Sequence, residues 1–168
     1  MMIKEEIQTS KDSLSVFLEN HAFRPDRQEI FKKISEKKVE ELHSMAYVYY
    51  QNQRYREADA LFRLLVTIDP QVFQYWKGLG ACLQMKKNYE GALNCYECAQ
   101  NLLKDLPDPY LYVHIADCHF AMKELDKGFQ VLELAKKRAK KTNEKKIIRH
   151  VSFMHERWKK NKPVISNK

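Results

Sequence analysis

The chain has 168 residues, a formal net charge of +8, and only four Gly and five Pro. That length supports one domain with a real core, and so few breakers suit an all-helical protein joined by short turns. The longest apolar stretches, such as Leu61 to Ile68, are too short and interrupted to span a bilayer. Residues 1–11 carry Lys4, Glu5 and Glu6 and no apolar signal core, so a cytoplasmic location and no membrane insertion are expected.

The charge is local. Lys136 to Lys162 holds twelve Lys and Arg against Glu144 and Glu156, a balance of +10 that leaves the rest of the chain at −2. A uniformly basic surface would suggest nucleic acid. A basic C-terminal segment on a near-neutral body reads instead as a solvated helix face or as a surface that steers an acidic partner, and no nucleic acid is expected.

In chain order, residues 1–11 read as disordered. Asp12 or Ser13 caps a short amphipathic helix with Leu14, Phe17 and Leu18, and the chain breaks between Asn20 and Pro25. Asp26 caps a further stretch with Ile30, Phe31 and Ile34, making 12–38 an N-terminal helical extension. Ser35 is a second cap, leading into a helix with Val39, Leu42, Met45, Ala46 and Tyr49 at helical spacing.

From there one pattern recurs three times. The first copy is Leu42, Met45, Ala46, Tyr55, Ala58, Phe62 and Leu65, closed by Asp69-Pro70. The second is Trp76, Leu79, Gly80, Tyr89, Ala92, Tyr96 and Ala99. The third is Tyr112, Ile115, Ala116, Leu125, Gly128, Leu132 and Ala135. Ala58 to Ala92 is 34 residues and Ala92 to Gly128 is 36, the extra two falling at Leu106-Pro107-Asp108-Pro109. The period and the order of bulky and small residues are the signature of tetratricopeptide repeats. The predicted repeats are 39–72, 73–106 and 109–142, each an antiparallel helix pair with small residues at the closest approach. Gln53, Lys87 and Lys123 sit in the turns where glycine is usual, with Asn52 and Asn88 beside them able to tolerate a left-handed backbone. Thr142 or Asn143 then caps a last helix over 143–160. Its Ile147, Val151, Met154 and Trp158 form one apolar stripe that covers the exposed end of the stack. Residues 161–168 read as a flexible tail. The expected fold is therefore an all-α tetratricopeptide-repeat solenoid with an N-terminal helical extension and a C-terminal capping helix.

In such a stack the first helix of each pair lines the concave face. The inward positions are Glu40, His43, Tyr47 and Tyr50, then Gln74, Lys77, Ala81, Gln84 and Met85, then Tyr110, Val113, Asp117 and Phe120. Aromatic rings with hydroxyls suit an extended apolar segment, although Tyr47 and Tyr50 packing on the N-terminal helix is the plainer alternative. Repeat proteins that hold the acidic C-termini of large heat-shock chaperones use a clamp of Lys, Asn and Arg. Here those places hold His43, Tyr47, Gly78, Tyr110 and His114, so that role is not expected.

Nothing points to catalysis. No phosphate loop, dinucleotide fingerprint or nucleophile–base arrangement is present, and the six His are scattered. Cys95-x-x-Cys98 lies inside a helix, where thioredoxin chemistry does not place it. Zinc would need a second pair, for which His114 and Cys118 are the sole helical candidate. The four Cys read as small hydrophobes; no enzyme activity, cofactor or metal is expected.

The residues resemble one family closely. Met45-Ala-Tyr-Val-Tyr-Tyr50, then Tyr55-x-x-Ala58-Asp-x-x-Phe62-Arg-x-Leu65, is similar to the LcrH/SycD family, the class II chaperones of type III secretion. Trp76-x-Gly78-Leu79-Gly80-Ala81-Cys-Leu-Gln84 and His114-x-Ala116-x-Cys118 continue the likeness, which spans roughly residues 12 to 155. The long basic C-terminal segment and the two-residue expansion before Tyr110 depart from it. The resemblance implies a bacterial cytoplasmic chaperone that binds hydrophobic translocator proteins before export. A client segment with spaced Pro and a Leu would lie extended in the groove, with Tyr47, Tyr50 and Phe120 as apolar walls and Lys77, Gln84 and Asp117 as polar contacts. It also implies pairing of two copies through Leu14, Phe17 and Leu18. The alternative is a repeat scaffold joining soluble partners.

Overall fold

A computed structural model describes residues 34–103 and 108–160. The expected N-terminal disorder, the extension up to residue 33 with Leu14, Phe17 and Leu18, the Leu106-Pro107 half of the third turn and the tail 161–168 lie outside them. The described residues form seven helices and divide after Leu102 into two compact units.

The first unit holds α1 (Glu36–Gln51), α2 (Tyr55–Ile68), α3 (Phe73–Met85) and α4 (Tyr89–Leu103). α1 begins three residues before the predicted repeat start. Ser35 stands at its N-cap position in an extended conformation, but its side chain makes no capping bond. The pairs close as the small residues require. Ala46, Ala58, Ala92 and Ala99 have no exposed surface, and Phe62, Leu65, Trp76 and Tyr96 fill the space beside them. A Cβ on Gly80 would come within 2.6 Å of Tyr96 Cε1, so glycine there lets α3 and α4 approach over the ring. Trp76 Nε1 donates to Pro70 O at 2.8 Å, anchoring the turn into α3.

The turns inside the helix pairs correct one expectation. Gln53, Lys87 and Lys123 themselves take the left-handed backbone, with φ of 61°, 63° and 65°, whereas Asn52 has φ −83°. The same two bonds close each turn: Gln53 N to Tyr50 O at 3.0 Å and Arg54 N to Tyr49 O at 2.9 Å, repeated at Lys87/Asn88 and Lys123/Glu124. Asn52 Nδ2 instead donates to Val48 O at 2.9 Å, satisfying a terminal carbonyl. Asn88 Oδ1 accepts from Gly91 N at 3.1 Å, a helix cap on α4.

The second unit holds α5 (Pro109–Ala121), α6 (Leu125–Lys141) and α7 (Lys145–Lys160). Asp108 caps α5 by accepting from Tyr110 N, and Pro109 takes the first turn, where its missing N–H costs nothing. α7 starts two residues after the predicted position. Asn143 is in the left-handed region at φ 56°, and Thr142 Oγ1 donates to Glu144 Oε1 at 2.7 Å, so neither residue caps α7. The stripe on α7 is buried as read: Ile147, Val151 and Met154 join Val113, Ala116, Phe120, Leu132, Ala135 and Ala139 in one core, with Trp158 packed against it.

Candidate functional site

In the first unit the first helices of the two pairs, α1 and α3, are tied by an aromatic cluster. His43 and Tyr47 lie one turn apart on α1, their ring centroids 4.9 Å apart. His43 meets the Tyr75 ring of α3 at 5.0 Å, and both His43 and Tyr47 stand edge-on to Phe62 at 6.1 and 5.7 Å. Every pair is T-shaped, the arrangement aromatic quadrupoles prefer. Phe62 and Tyr75 are buried, and Tyr47 stands 42% exposed. The cluster is thus an apolar floor with one ring presented to solvent. His43 Nε2 is buried without a hydrogen-bond partner among the described residues, and burial pulls its pKa below the usual 6.5. The ring is therefore neutral at pH 7 and adds to the apolar character of the floor.

The neighbouring residues grade from apolar to polar. Tyr50 is half-buried against Tyr55 at 5.5 Å, its phenol pushed up by burial and by nearby Cys82 and Tyr55. Lys77, Ala81 and Gln84 on α3 are half-buried, and Met85 is 47% exposed. Gln84 Oε1 accepts from the Tyr96 hydroxyl at 2.7 Å. That bond orients the amide of a residue expected to meet a client backbone.

The third repeat departs from expectation. Tyr110 is exposed and Asp117 half-buried, as surface contacts require. Val113 and Phe120, expected as groove walls, are 3% and 1% exposed and belong to the core of the second unit. Phe120 stacks on Trp158 at 4.7 Å and 13°, and Phe129 meets its edge at 5.3 Å. The capping helix covers this end of α5, so neither side chain is presented to a partner. Asp117 lies near His150 and Arg157 of α7, which draw its pKa down; burial wins, and the net shift is upward.

Sequence reasoning missed Tyr75 and Phe62 as the floor beneath Tyr47. The signal was the stripe Tyr75, Leu79, Cys82, which points one face of α3 at α1 and α2. It also missed Asp59, which is buried and holds Arg63 at 3.1 Å and Lys86 at 3.4 Å, joining α2 to the end of α3.

The cysteines are buried, and burial is the first cause of the rise that pushes Cys82, Cys98 and Cys118 up to about 12. Cys95 is raised as well, by burial and by Cys98. Thiols in that state are poor nucleophiles. Among the described residues no three His, Cys, Asp or Glu converge as a metal site, and no helix is long and apolar enough to cross a membrane.

A family model, Tetratricopeptide repeat, matches residues 39–71 and 74–106. Low calcium response locus protein H of Yersinia pestis is 31% identical over 128 residues, 76% of this chain and 75% of that protein. The chain belongs to this family. Among solved structures, the type III secretion translocator chaperone SycD of Yersinia enterocolitica, in an alternative dimer, superposes with a TM-score of 0.71 at 31% identity, covering 79% of this chain and 99% of SycD. SycD in complex with a peptide of the translocator YopD superposes with a TM-score of 0.69, again at 31% identity, over 78% and 99% of the two chains. The all-helical repeat fold and the membership among secretion chaperones agree with the reading of the sequence.

Proposed function

We propose that this protein is a cytoplasmic chaperone of a type III secretion system that binds hydrophobic translocator proteins and keeps them soluble and unassembled before export. The observation that carries the reading is the aromatic floor of the first unit. His43, Tyr75 and Phe62 form an apolar base held neutral by burial, with Tyr47 presented over it. Such a surface suits proline rings and a leucine side chain on an extended segment. Proline fixes that backbone in advance and lowers the ordering cost of binding.

In this proposal Tyr47, Tyr50, Ala81 and Met85 supply apolar contact, His43 completes the floor, and Lys77 and Gln84 bond the client backbone. No chemistry is done on the client. Pairing of two copies through Leu14, Phe17 and Leu18 is part of the proposal; a dimer of the related SycD supports it.

The test is co-expression with translocator proteins of a type III secretion system from the same organism. A translocator that precipitates alone and stays soluble with the wild-type chain, but not with Tyr47→Ala, fits a chaperone. A partner equally soluble alone and bound just as well would make the chain a scaffold and overturn the proposal.

A further inference from the structure

The core-facing stripe of α7 uses Ile147, Val151, Met154 and Trp158, all packed into the second unit. On the opposite side of the same helix Phe153 is 65% exposed, more than any other large hydrophobic side chain among the described residues. At 100° per residue, Lys146, Arg149, Arg157 and Lys160 fall within about 40° of Phe153 around the axis. They stand at −7, −4, +4 and +7 in sequence. The result is one stripe about 21 Å long at 1.5 Å per residue, with an aromatic ring at its centre and a cation one and two turns away on either side. None of these four cations forms a salt bridge among the described residues; Arg157, at the edge of the stripe, is also near enough to Asp117 of α5 to draw its pKa down.

A single exposed hydrophobic side chain is common on soluble proteins; what marks Phe153 is its place at the middle of a row of four cations. We propose that this stripe is a second docking surface, separate from the aromatic floor of the first unit, and that its partner is an acidic amphipathic helix of another protein. That helix would present a leucine or aromatic side chain flanked by carboxylates one and two turns away.

Four features favour this partner over the other polyanions. Arg149 and Arg157 offer planar forks suited to two-point binding of carboxylates. An aromatic anchor ringed by arginine is the usual composition of a protein–protein hot spot. A membrane-surface helix needs a whole apolar face, and that of α7 is already buried in its own core. Single-stranded nucleic acid is held by successive stacking rings, and this stripe has one.

The test uses the full chain and a labelled 20-residue helical peptide with Glu at −7, −4, +4 and +7 around a central Leu. One control peptide replaces the Leu by Gln and keeps the charge; another replaces the four Glu by Gln and keeps the Leu. The account expects saturable binding that falls at least tenfold with either control and at least tenfold with Phe153→Ala. Arg149→Glu with Lys146→Glu, both exposed, should weaken it at least a hundredfold with an unchanged circular dichroism spectrum. Tyr47→Ala should leave it unmoved, so that failure of the groove proposal and failure of this one are separately visible. Equal binding of the Leu→Gln peptide would reduce the surface to unselective charge and overturn the proposal. So would tighter, Phe153-dependent binding to vesicles with 30% anionic lipid or to single-stranded RNA.

Discussion

Gly80→Ala tests the packing logic of the first unit. The added methyl would lie 2.6 Å from Tyr96 Cε1 and 2.8 Å from Cδ1, where ordinary contact begins at 3.4 Å. The ring must therefore withdraw by most of an ångström. Tyr96 has no exposed surface and is pinned at its far end by the 2.7 Å bond to Gln84, so it has little freedom to move. Overpacking of a rigid core group costs about 1–3 kcal/mol, here in the upper half of that range. Alanine in place of glycine inside a helix returns about 1 kcal/mol. The net loss is about 1–2 kcal/mol, a fall in Tm of about 2–8 °C for a chain of this size. Urea unfolding followed by circular dichroism measures it. Gly91→Ala is the comparison, because its methyl meets only the flexible amide end of Asn88, at 2.9 Å from Nδ2; disturbing the Asn88 cap on α4 costs about 1 kcal/mol, offset by about 1 kcal/mol of helix propensity, so the change should be close to neutral. Adding Tyr96→Leu to Gly80→Ala should cost less than the sum of the two single changes. A Gly80→Ala protein more stable than wild type would refute the close approach of α3 and α4 over the Tyr96 ring.

Other consequences follow from the second unit and from the buried titratable groups. Trp158→Ala removes the ring stacked on Phe120 and should destabilise by about 2–4 kcal/mol, the half-buried end of the range for large aromatics, read by thermal unfolding. His43 has its pKa depressed by burial, so between pH 6.5 and that lower value the unfolded chain binds a proton that the folded chain refuses. Stability is lost as pH falls through this window, and His43→Gln should flatten that part of the profile. Asp117 is raised instead: the folded chain holds its proton more tightly, and stability is lost as pH rises from 3.8 to the higher value. Asp117→Asn should therefore stabilise at pH 7 and change nothing well below pH 3.8, by denaturant titration at the two pH values.

The helices were legible because core spacing and small residues agree at every level. Ala46, Ala58, Ala92 and Ala116 are all fully buried where the repeat pattern puts them. The turns were legible in place but not in chemistry, since Gln53, Lys87 and Lys123 accept left-handed backbone for the two closing bonds that each turn gains. The exposure of the expected groove residues followed the sequence only in part. Tyr47 and Met85 stand out as expected, yet Phe120 is covered because Trp158, 38 residues further along the chain, docks on it. Neither periodicity nor composition fixes which of two flat rings ends up on top. Tyr75 was hidden by its neighbour Trp76, whose repeat signature drew the reading of that turn of α3.

The central claim is that an extended Pro- and Leu-containing segment binds over the aromatic floor at Tyr47. The direct measurement is a fluorescence anisotropy titration of the full chain with a labelled ten-residue peptide carrying Pro-x-Leu-x-x-Pro. It is run beside a peptide with those three residues changed to Ala, at two salt concentrations. The account predicts saturation in the micromolar range, about −8 kcal/mol, lost with the Ala peptide and with Tyr47→Ala and nearly independent of salt. Equal binding of the two peptides, or binding that survives Tyr47→Ala and collapses with salt, would contradict it.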